Sequence, residues 1–287
     1  MTLTHPDRVL WPDIGLTKQG LAEFYTDIAD WILPHVVDRP LSLVRCPDGT
    51  GEKCFFQKHA WAGLDERLVR RVMVGDDEAL AIRDLSGLLA LVQASVLEIH
   101  PWGSKLRSPE RPDRLTFDLD PGEGVGFEAV AAGALEVRER LRALGLESLV
   151  KTTGGKGLHV VVPLKPRAGW DEAKAFCASL AAAMAADAPD RYTATLTKRV
   201  RAGRVFVDYL RNGRGATAVA AYSTRARPGA PVATPLAWDE LPSLRAGNAY
   251  RVGTLLARLD HLPADPWGAL ADMARPLKAG RGRGKRG

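Results

Sequence analysis

Three aspartates are the residues of this chain best placed by type and spacing to do chemistry. Two lie in Leu115-Thr116-Phe117-Asp118-Leu119-Asp120. In an extended strand the side chains alternate, so Leu115, Phe117 and Leu119 take one face and Thr116, Asp118 and Asp120 the other. The carboxylates then stand roughly 6 to 7 Å apart along the strand. Like charges at that spacing repel, and a divalent cation between them reverses the sign of the interaction. Pro121-Gly122-Glu123-Gly124 ends the strand at once, leaving Asp120 at a rim that a substrate can reach. Alone, such a pair reads more simply as a solvated strand face. Asp208 shifts the balance, because in Val205-Phe206-Val207-Asp208-Tyr209-Leu210 its own face carries Phe206 and Leu210. An ionised carboxylate there needs a cationic partner. A salt bridge to Arg201 or Arg204 is the plain answer; a metal shared with Asp118 and Asp120 is the sharper one. Three carboxylates suit magnesium or manganese, and two such ions clamp the attacking and leaving oxygens of a phosphoryl transfer.

A glycine-rich loop follows in Lys151-Thr152-Thr153-Gly154-Gly155-Lys156-Gly157-Leu158-His159. Its backbone N–H groups can wrap a phosphate chain while Lys156 supplies charge, although an ordinary tight turn fits the same letters. It lacks the order of a P-loop, and the next element reads as a strand rather than a helix. His159 is a hydrogen-bonded core residue or, placed just after the loop, a phosphate contact. Arg225 and Arg227, two residues apart after a strand pattern, suit phosphate oxygens or a solvated loop. Phe55 and Phe56 lie among polar residues; one ring exposed for stacking on a base is the functional reading, and composition favours burial of both.

The elements that must hold these residues show in the apolar spacing. Thr17 is placed to cap a helix through Leu21, Phe24, Tyr25, Ile28 and Trp31, ending before Pro34. A second helix runs through Val130, Ala134, Val137, Leu141 and Leu144 and stops at Gly145; a third runs from about Asp171 through Phe176, Leu180 and Met184. Strand patterns cover 41–46, 79–83, 115–120, 158–162, 205–210 and 217–222. Asn212-Gly213 between the last two predicts a hairpin and so an antiparallel sheet. The expected class is α+β.

Composition sets the outer limits. The 287 residues, 46% hydrophobic, supply a buried core. No apolar run reaches the roughly 18 to 20 residues of a membrane span, and the first residues form no signal segment, so no membrane role and a cytoplasmic location are expected. Cys46, Cys54 and Cys177 lack zinc-site spacing, and a disulfide is not expected; Cys177 reads as a core residue in an alanine-rich helix. Of the net charge of +6, Lys278, Arg281, Arg283, Lys285 and Arg286 contribute five, which leaves about +1 for the body. Residues 278–287 read as a disordered, weakly phosphate-attracting arm or a solubilising end. The Pro-rich stretch 108–113 marks a boundary between an N-terminal module of about 1–110 and a catalytic module of about 111–277, two parts of one domain.

Together these segments resemble the primase-polymerase domain of bacterial non-homologous end-joining ligases (ligase D), within the archaeo-eukaryotic primase superfamily. The resemblance rests on Leu-Thr-His-Pro-Asp-Arg-Val-Leu-Trp-Pro at 3–12, Leu-Glu-Ile-His-Pro-Trp-Gly-Ser at 97–104, Phe-Asp-Leu-Asp-Pro-Gly at 117–122, Gly-Gly-Lys-Gly-Leu-His at 154–159 and Val-Asp-Tyr-Leu-Arg-Asn at 207–212. It implies a primase-type fold with a largely antiparallel, RRM-like catalytic sheet packed with helices, beside an N-terminal α/β module. By resemblance Asp118, Asp120 and Asp208 hold two divalent cations, Mn2+ or Mg2+ with Mn2+ favoured, and Thr153, Gly154, Gly155, Lys156, His159 and Arg225 hold the incoming nucleotide's phosphates. His100 falls near its sugar, and Phe55 and Phe56 against nucleotide or template. Arg211 and Arg227 are further DNA contacts, while His5, Arg8 and Lys18 form a pocket for a downstream 5′-phosphate. Thr153 stands where serine usually begins the loop, and Ala221 where proline is frequent. The partners implied are gapped or primer-template DNA, NTP or dNTP, and a DNA ligase and a Ku-like end-binding protein. The expected activity is template-directed addition of nucleotides, ribonucleotides by preference, to primer 3′ ends at gaps and breaks. A primase starting chains de novo and a catalytically silent DNA-end-binding module are the rivals. No ligase or nuclease segment falls within the 287 residues, so the expectation is a stand-alone polymerase or one domain of a longer protein.

Overall fold

In the computed structural model, which describes residues 2–277, strands β1 (Val9–Trp11) and β2 (Leu16–Thr17) pair antiparallel and lead into helix α1 (Lys18–Asp27). Residues 278–287, and so the basic arm, lie outside the described residues. Thr17 Oγ1 accepts the Gly20 N–H at 3.1 Å, the expected cap. The single helix expected through Trp31 breaks at Ile28, however, and α2 (Ala29–Val36) runs through Pro34 instead of stopping before it. The break is cheap: Ile28 still donates to the Phe24 carbonyl and accepts from Ile32, while its side chain stays fully buried. Pro34 forgoes only the bond to the carbonyl of Asp30, an exposed residue.

The N-terminal sheet contains β3 (Leu41–Arg45), β4 (Phe55–Gln57), β5 (Arg70–Val74), β6 (Asp77–Ala81) and, after α3 (Leu85–Gln93), β7 (Val96–Pro101). Its order is β4-β3-β6-β5, with β7 also on β3, and every pairing is antiparallel. Cys46 and Cys54 corrects the expectation of no disulfide: they are bonded to each other. Antiparallel pairing of β3 with β4 brings their Cα atoms to 4.4 Å, a contact that sequence spacing alone does not reveal. Cys177 is free and buried, as expected.

The six-stranded sheet of the C-terminal part has the order β11-β12-β8-β10-β9-β13. Its strands are β8 (Arg114–Pro121), β9 (Leu149–Thr152), β10 (Leu158–Pro163), β11 (Tyr192–Thr193), β12 (Val205–Asp208) and β13 (Pro235–Leu236). Only the β11–β12 pairing is parallel. Helices α4 (Phe127–Ala143) and α5 (Trp170–Asp187) cover one face, where Leu115, Phe117 and Leu119 pack with Val130, Val137 and Leu180. Each such side chain contributes about 1.5–3 kcal/mol when buried. On the opposite face Leu149 and Val161 join the core of the N-terminal sheet, α1, α2 and α6 (Val252–His261). A short α7 (Leu270–Met273) follows. The α+β expectation holds.

The expected hairpin of 205–210 with 217–222 does not form. After β12 the chain makes a 3-10 turn, Leu210–Asn212, and residues 217–220 run beside β7, with Thr217 bridging Trp102 and the Ala220 N–H donating to Ile99 O. Asn212 is spent elsewhere: its side chain accepts the Thr116 N–H at 2.7 Å and donates to Thr116 O at 2.8 Å. Those two bonds satisfy the backbone of β8 beyond the last residue of β12, in place of further strand pairing. The Pro-rich stretch is pinned as well. Asp113 receives both terminal nitrogens of Arg39 at 2.8 and 2.6 Å, and Pro109 O accepts from Ser104 and Trp170.

Candidate active site

Strand register gathers the chemistry into one row. Lys151, His159, Asp118 and Asp208 are successive cross-strand partners on β9, β10, β8 and β12, so their side chains share the face opposite α4 and α5. Asp120 lies two residues further along β8, opposite Phe206. All four members of the row are buried, and where β8 ends Asp120 is only partly so.

The cation nearest the aspartates is neither Arg201 nor Arg204. Arg211, from the turn after β12, stands 3.2 Å from Asp118 and 3.6 Å from Asp208. Arg201 instead stacks on the Phe206 ring, 3.6 Å from its centre. Asp208 also accepts the Leu210 N–H at 2.7 Å. His159 Nε2 is 3.3 Å from Asp118 Oδ1.

These contacts split the three acids. Burial opposes ionisation of Asp118, but His159 and Arg211 hold it below the usual carboxylate range. Burial and the negative charge of Asp118 push Asp120 up to about 6. Burial raises Asp208, with the Leu210 N–H and Arg211 working against it. Burial and neighbouring Lys151 push His159 down to about 4, so it is neutral at pH 7. Three carboxylates therefore face one guanidinium.

That donor set fits a hard divalent cation. It is all oxygen, and Asp118 Oδ1 has no hydrogen-bond partner among the described residues. No group of three or more His, Cys, Asp or Glu side chains is closed round an ion position among the described residues. Arg211 reaches between Asp118 and Asp208 as their counter-charge.

The glycine loop joins β9 to β10, as the sequence implied. Thr153 Oγ1 fastens it, donating to Gly157 O at 3.1 Å and accepting the Gly155 and Gly157 N–H groups. Gly154 has φ +65°, and a Cβ there would meet Arg225 Cγ at 2.7 Å. Gly157 lies so close to the Leu119 carbonyl and the Asp120 carboxylate that no side chain fits. Lys156 is exposed at the tip. Arg225 donates to Thr153 O at 2.6 Å, joining the loop to the 225–227 turn, whose carbonyls Trp11 Nε1 also holds.

A cavity of about 240 Å³ brings together Asp118, Asp120, Thr153, Gly155, Lys156, His159, His100, Arg211, Arg225, Arg227 and Phe56. Both phenylalanines are exposed, against the compositional expectation of burial: Phe55 at 38% and Phe56 at 65%, the latter edge-on to His100. Strand β4 lies at the sheet edge, so no neighbouring strand covers its rings. Phe55, Gly154 and Asp208 do not line the cavity themselves.

His5, Arg8 and Lys18 lie at a separate corner. His5 and Arg8 are exposed, and Arg8 donates to Pro47 O at 2.7 Å. Lys18 is buried; its ammonium donates to Thr4 O at 3.0 Å and Gln93 O at 3.2 Å.

Sequence reasoning missed Glu98. It accepts from Ala226 N–H and His100 Nε2, at 2.9 and 2.8 Å, and stands 2.9 Å from Arg225 Nε. Burial resists its charge, but His100 and Arg225 bring it down to about 2. An ionised Glu98 only accepts, so His100 Nε2 is the protonated nitrogen. Alternation of Glu98 and His100 in Leu97-Glu98-Ile99-His100 was a visible signal, the same one that singled out Asp118 and Asp120. Lys151, at one end of the row, gave no such signal.

Residues 17–267 match the model of the LigD primase-polymerase domain. The multifunctional non-homologous end joining protein LigD of Pseudomonas aeruginosa is 41% identical over 281 residues, covering 96% of this chain and 34% of that protein. The Mycolicibacterium smegmatis protein of the same description is 35% identical over 284 residues, covering 96% of this chain and 36% of its own length. This chain thus spans about a third of the length of these curated relatives. Among solved structures, the polymerase domain from Mycobacterium tuberculosis ligase D in complex with DNA superposes with a TM-score of 0.86 at 32% identity, covering 96% of this chain and 99% of that one. The chain belongs to the LigD primase-polymerase domain family, and is a nucleotidyltransferase of the polymerase type.

Proposed function

We propose that this protein adds nucleotides to primer 3′ ends at DNA gaps and breaks, directed by a template, as part of non-homologous end joining. The row of Asp118 and Asp208 with Asp120 beside it carries the reading, because Asp118 and Asp120 line a cavity that also holds Lys156, Arg225 and Arg227, and Asp208 stands across the strands from Asp118. Asp118, Asp120 and Asp208 are the residues to hold two divalent cations, Mn2+ or Mg2+. When bound, these ions supply charge stabilisation for the 3′-oxygen and the leaving pyrophosphate.

The protein's own part is binding and placement. Lys156, Arg225 and Arg227 meet the triphosphate, and the loop that carries Lys156 is held in shape by Gly154 N–H on Gly247 O and Gly155 N–H on Thr153 Oγ1. His100, held by Glu98, is presented to the sugar with its Nδ1 as acceptor. Phe55 and Phe56 offer exposed rings to a base. Arg211, the counter-charge of Asp118 and Asp208, would be free to meet the DNA backbone if cations neutralised the acids. His5 and Arg8, with the Lys18 charge beneath them, meet the downstream 5′-phosphate. DNA and NTP are the partners, ribonucleotides are preferred over deoxyribonucleotides, a ligase and a Ku-like end-binding protein act with it, and it works in the cytosol.

Gap filling on duplex DNA tests the proposal, with and without the downstream 5′-phosphate, comparing ribo- with deoxyribonucleotides and Mn2+ with Mg2+. Extension stimulated by the phosphate and favouring ribonucleotides with Mn2+ is expected. Indifference to the phosphate removes the end-joining role, and synthesis on a template without primer points to a primase.

A further inference from the structure

A second cavity, about 500 Å³, opens where the two sheets' modules meet, on the far side of the catalytic sheet's polar row. Its wall carries Arg39, Lys105, Arg107, Arg111, Arg114 and Lys165. Only two acids, Asp113 and Asp265, share that wall, an excess of four positive charges.

Internal pairing does not account for this charge. Asp113 is taken by Arg39 through two bonds of 2.8 and 2.6 Å, which leaves it 3.6 Å from Arg114 Nε. The Arg114 side chain is only 10% exposed, and its Nε has no hydrogen-bond partner among the described residues. Arg39 Nε and His35 Nε2, both on this wall and on residues at least 96% buried, are likewise unpartnered. Asp265 accepts from Tyr222 and from the Trp267 N–H. Burying a guanidinium N–H without an acceptor is costly, and two such groups on a wall with four positive charges in excess suit an acceptor-rich ligand.

We propose that this junction cavity is a second anion site, which takes the phosphate chain of a small di- or triphosphate, apart from the aspartate cavity. Guanidinium forks match phosphate oxygens, and the volume admits a small ligand rather than a duplex. Burial, with Arg39 and Arg114 adjacent, pushes Lys105 down to about 8, the strain of like charges that an anion relieves. The two cavities do not merge. Between them lies a gap of about 30 Å³ lined by Arg114, Lys151, His159 and Arg211, room for a water and not for a phosphate chain.

The test is calorimetric titration of the whole chain without metal, using pyrophosphate, ATP and inorganic phosphate as separate probes. Pyrophosphate is expected to bind with Kd below ~1 mM. Arg114→Met and Lys105→Met should each weaken it at least ~10-fold, a loss of about 1.4 kcal/mol. Because Arg114 is buried, the exposed pair Arg107→Ser/Lys165→Ser serves as control against loss of the fold: weaker binding with an unchanged melting temperature is expected. ATP binding as tightly as pyrophosphate identifies a nucleotide's phosphate chain as the ligand; pyrophosphate binding alone identifies the free diphosphate. The proposal is overturned if no heat appears up to ~10 mM pyrophosphate. It is equally overturned if the folded cavity variants bind as the parent does, or if Lys156→Met, in the aspartate cavity, is what abolishes binding.

Discussion

The aspartate row and the His5–Arg8–Lys18 corner are both candidates to meet phosphate-bearing DNA, yet they are built in opposite ways. In the row, strand register sets the side chains, and one guanidinium serves Asp118 and Asp208 with Asp120 beside them, leaving charge over for a ligand. At the corner, the ammonium of Lys18 already serves two carbonyls, and the exposed charges sit on a turn. A site on strands announces its function by what it leaves unsatisfied. A site on a turn can hide a structural role inside a functional one.

The comparison breaks first at the aspartates. Asp118→Ala or Asp208→Ala should lower primer extension about 10³-fold or more, with the fold intact by circular dichroism. Extension surviving in both would remove the polymerase reading. Glu98→Gln should cost on the order of 2–3 kcal/mol at pH 7 in denaturant unfolding, since it strips the charge from His100 and Arg225. The Glu98 carboxyl is lowered from 4.5 to about 2 on folding, so its stabilisation is complete above about pH 4.5 and is lost as pH falls towards 2. The variant's stability should lack that acid limb. Arg211→Ala should lower the melting temperature of the metal-free protein by several degrees and enlarge the upward shift given by Mn2+, because it removes the aspartates' resident counter-charge. An unchanged Mn2+ shift would separate Arg211 from the metal site. Arg8→Ala should reduce stimulation by a downstream 5′-phosphate ~10-fold without lowering stability, whereas Lys18→Met should cost about 1–3 kcal/mol of stability as well. Equal loss of stability in both would make the corner purely structural.

How much was legible follows from how local each feature is. Period-two alternation on 115–120 and the helical spacing of 130–144 and 171–184 depend on neighbours in sequence, and they stand as read. Cross-strand register does not, so neither Lys151 beside His159 nor Arg211 between two aspartates was visible. Asn212-Gly213 carries a strong local hairpin signal, yet the Asn212 side chain is claimed by Thr116, 96 residues away. The Cys46–Cys54 bond likewise depends on a strand pairing that eight residues of sequence do not specify.

The Lys151–His159–Asp118–Asp208 row also makes activity a witness to correct assembly. Slipping any one of four strands by a single residue would turn its member of the row into the helix-covered core and bring a neighbour such as Val150, Leu158, Leu119 or Val207 out in its place. A mispaired sheet of this chain can be compact and helical by spectroscopy and still present no site. Turnover per molecule is therefore a stricter measure of how much of a preparation has reached the native register than any signal from secondary structure.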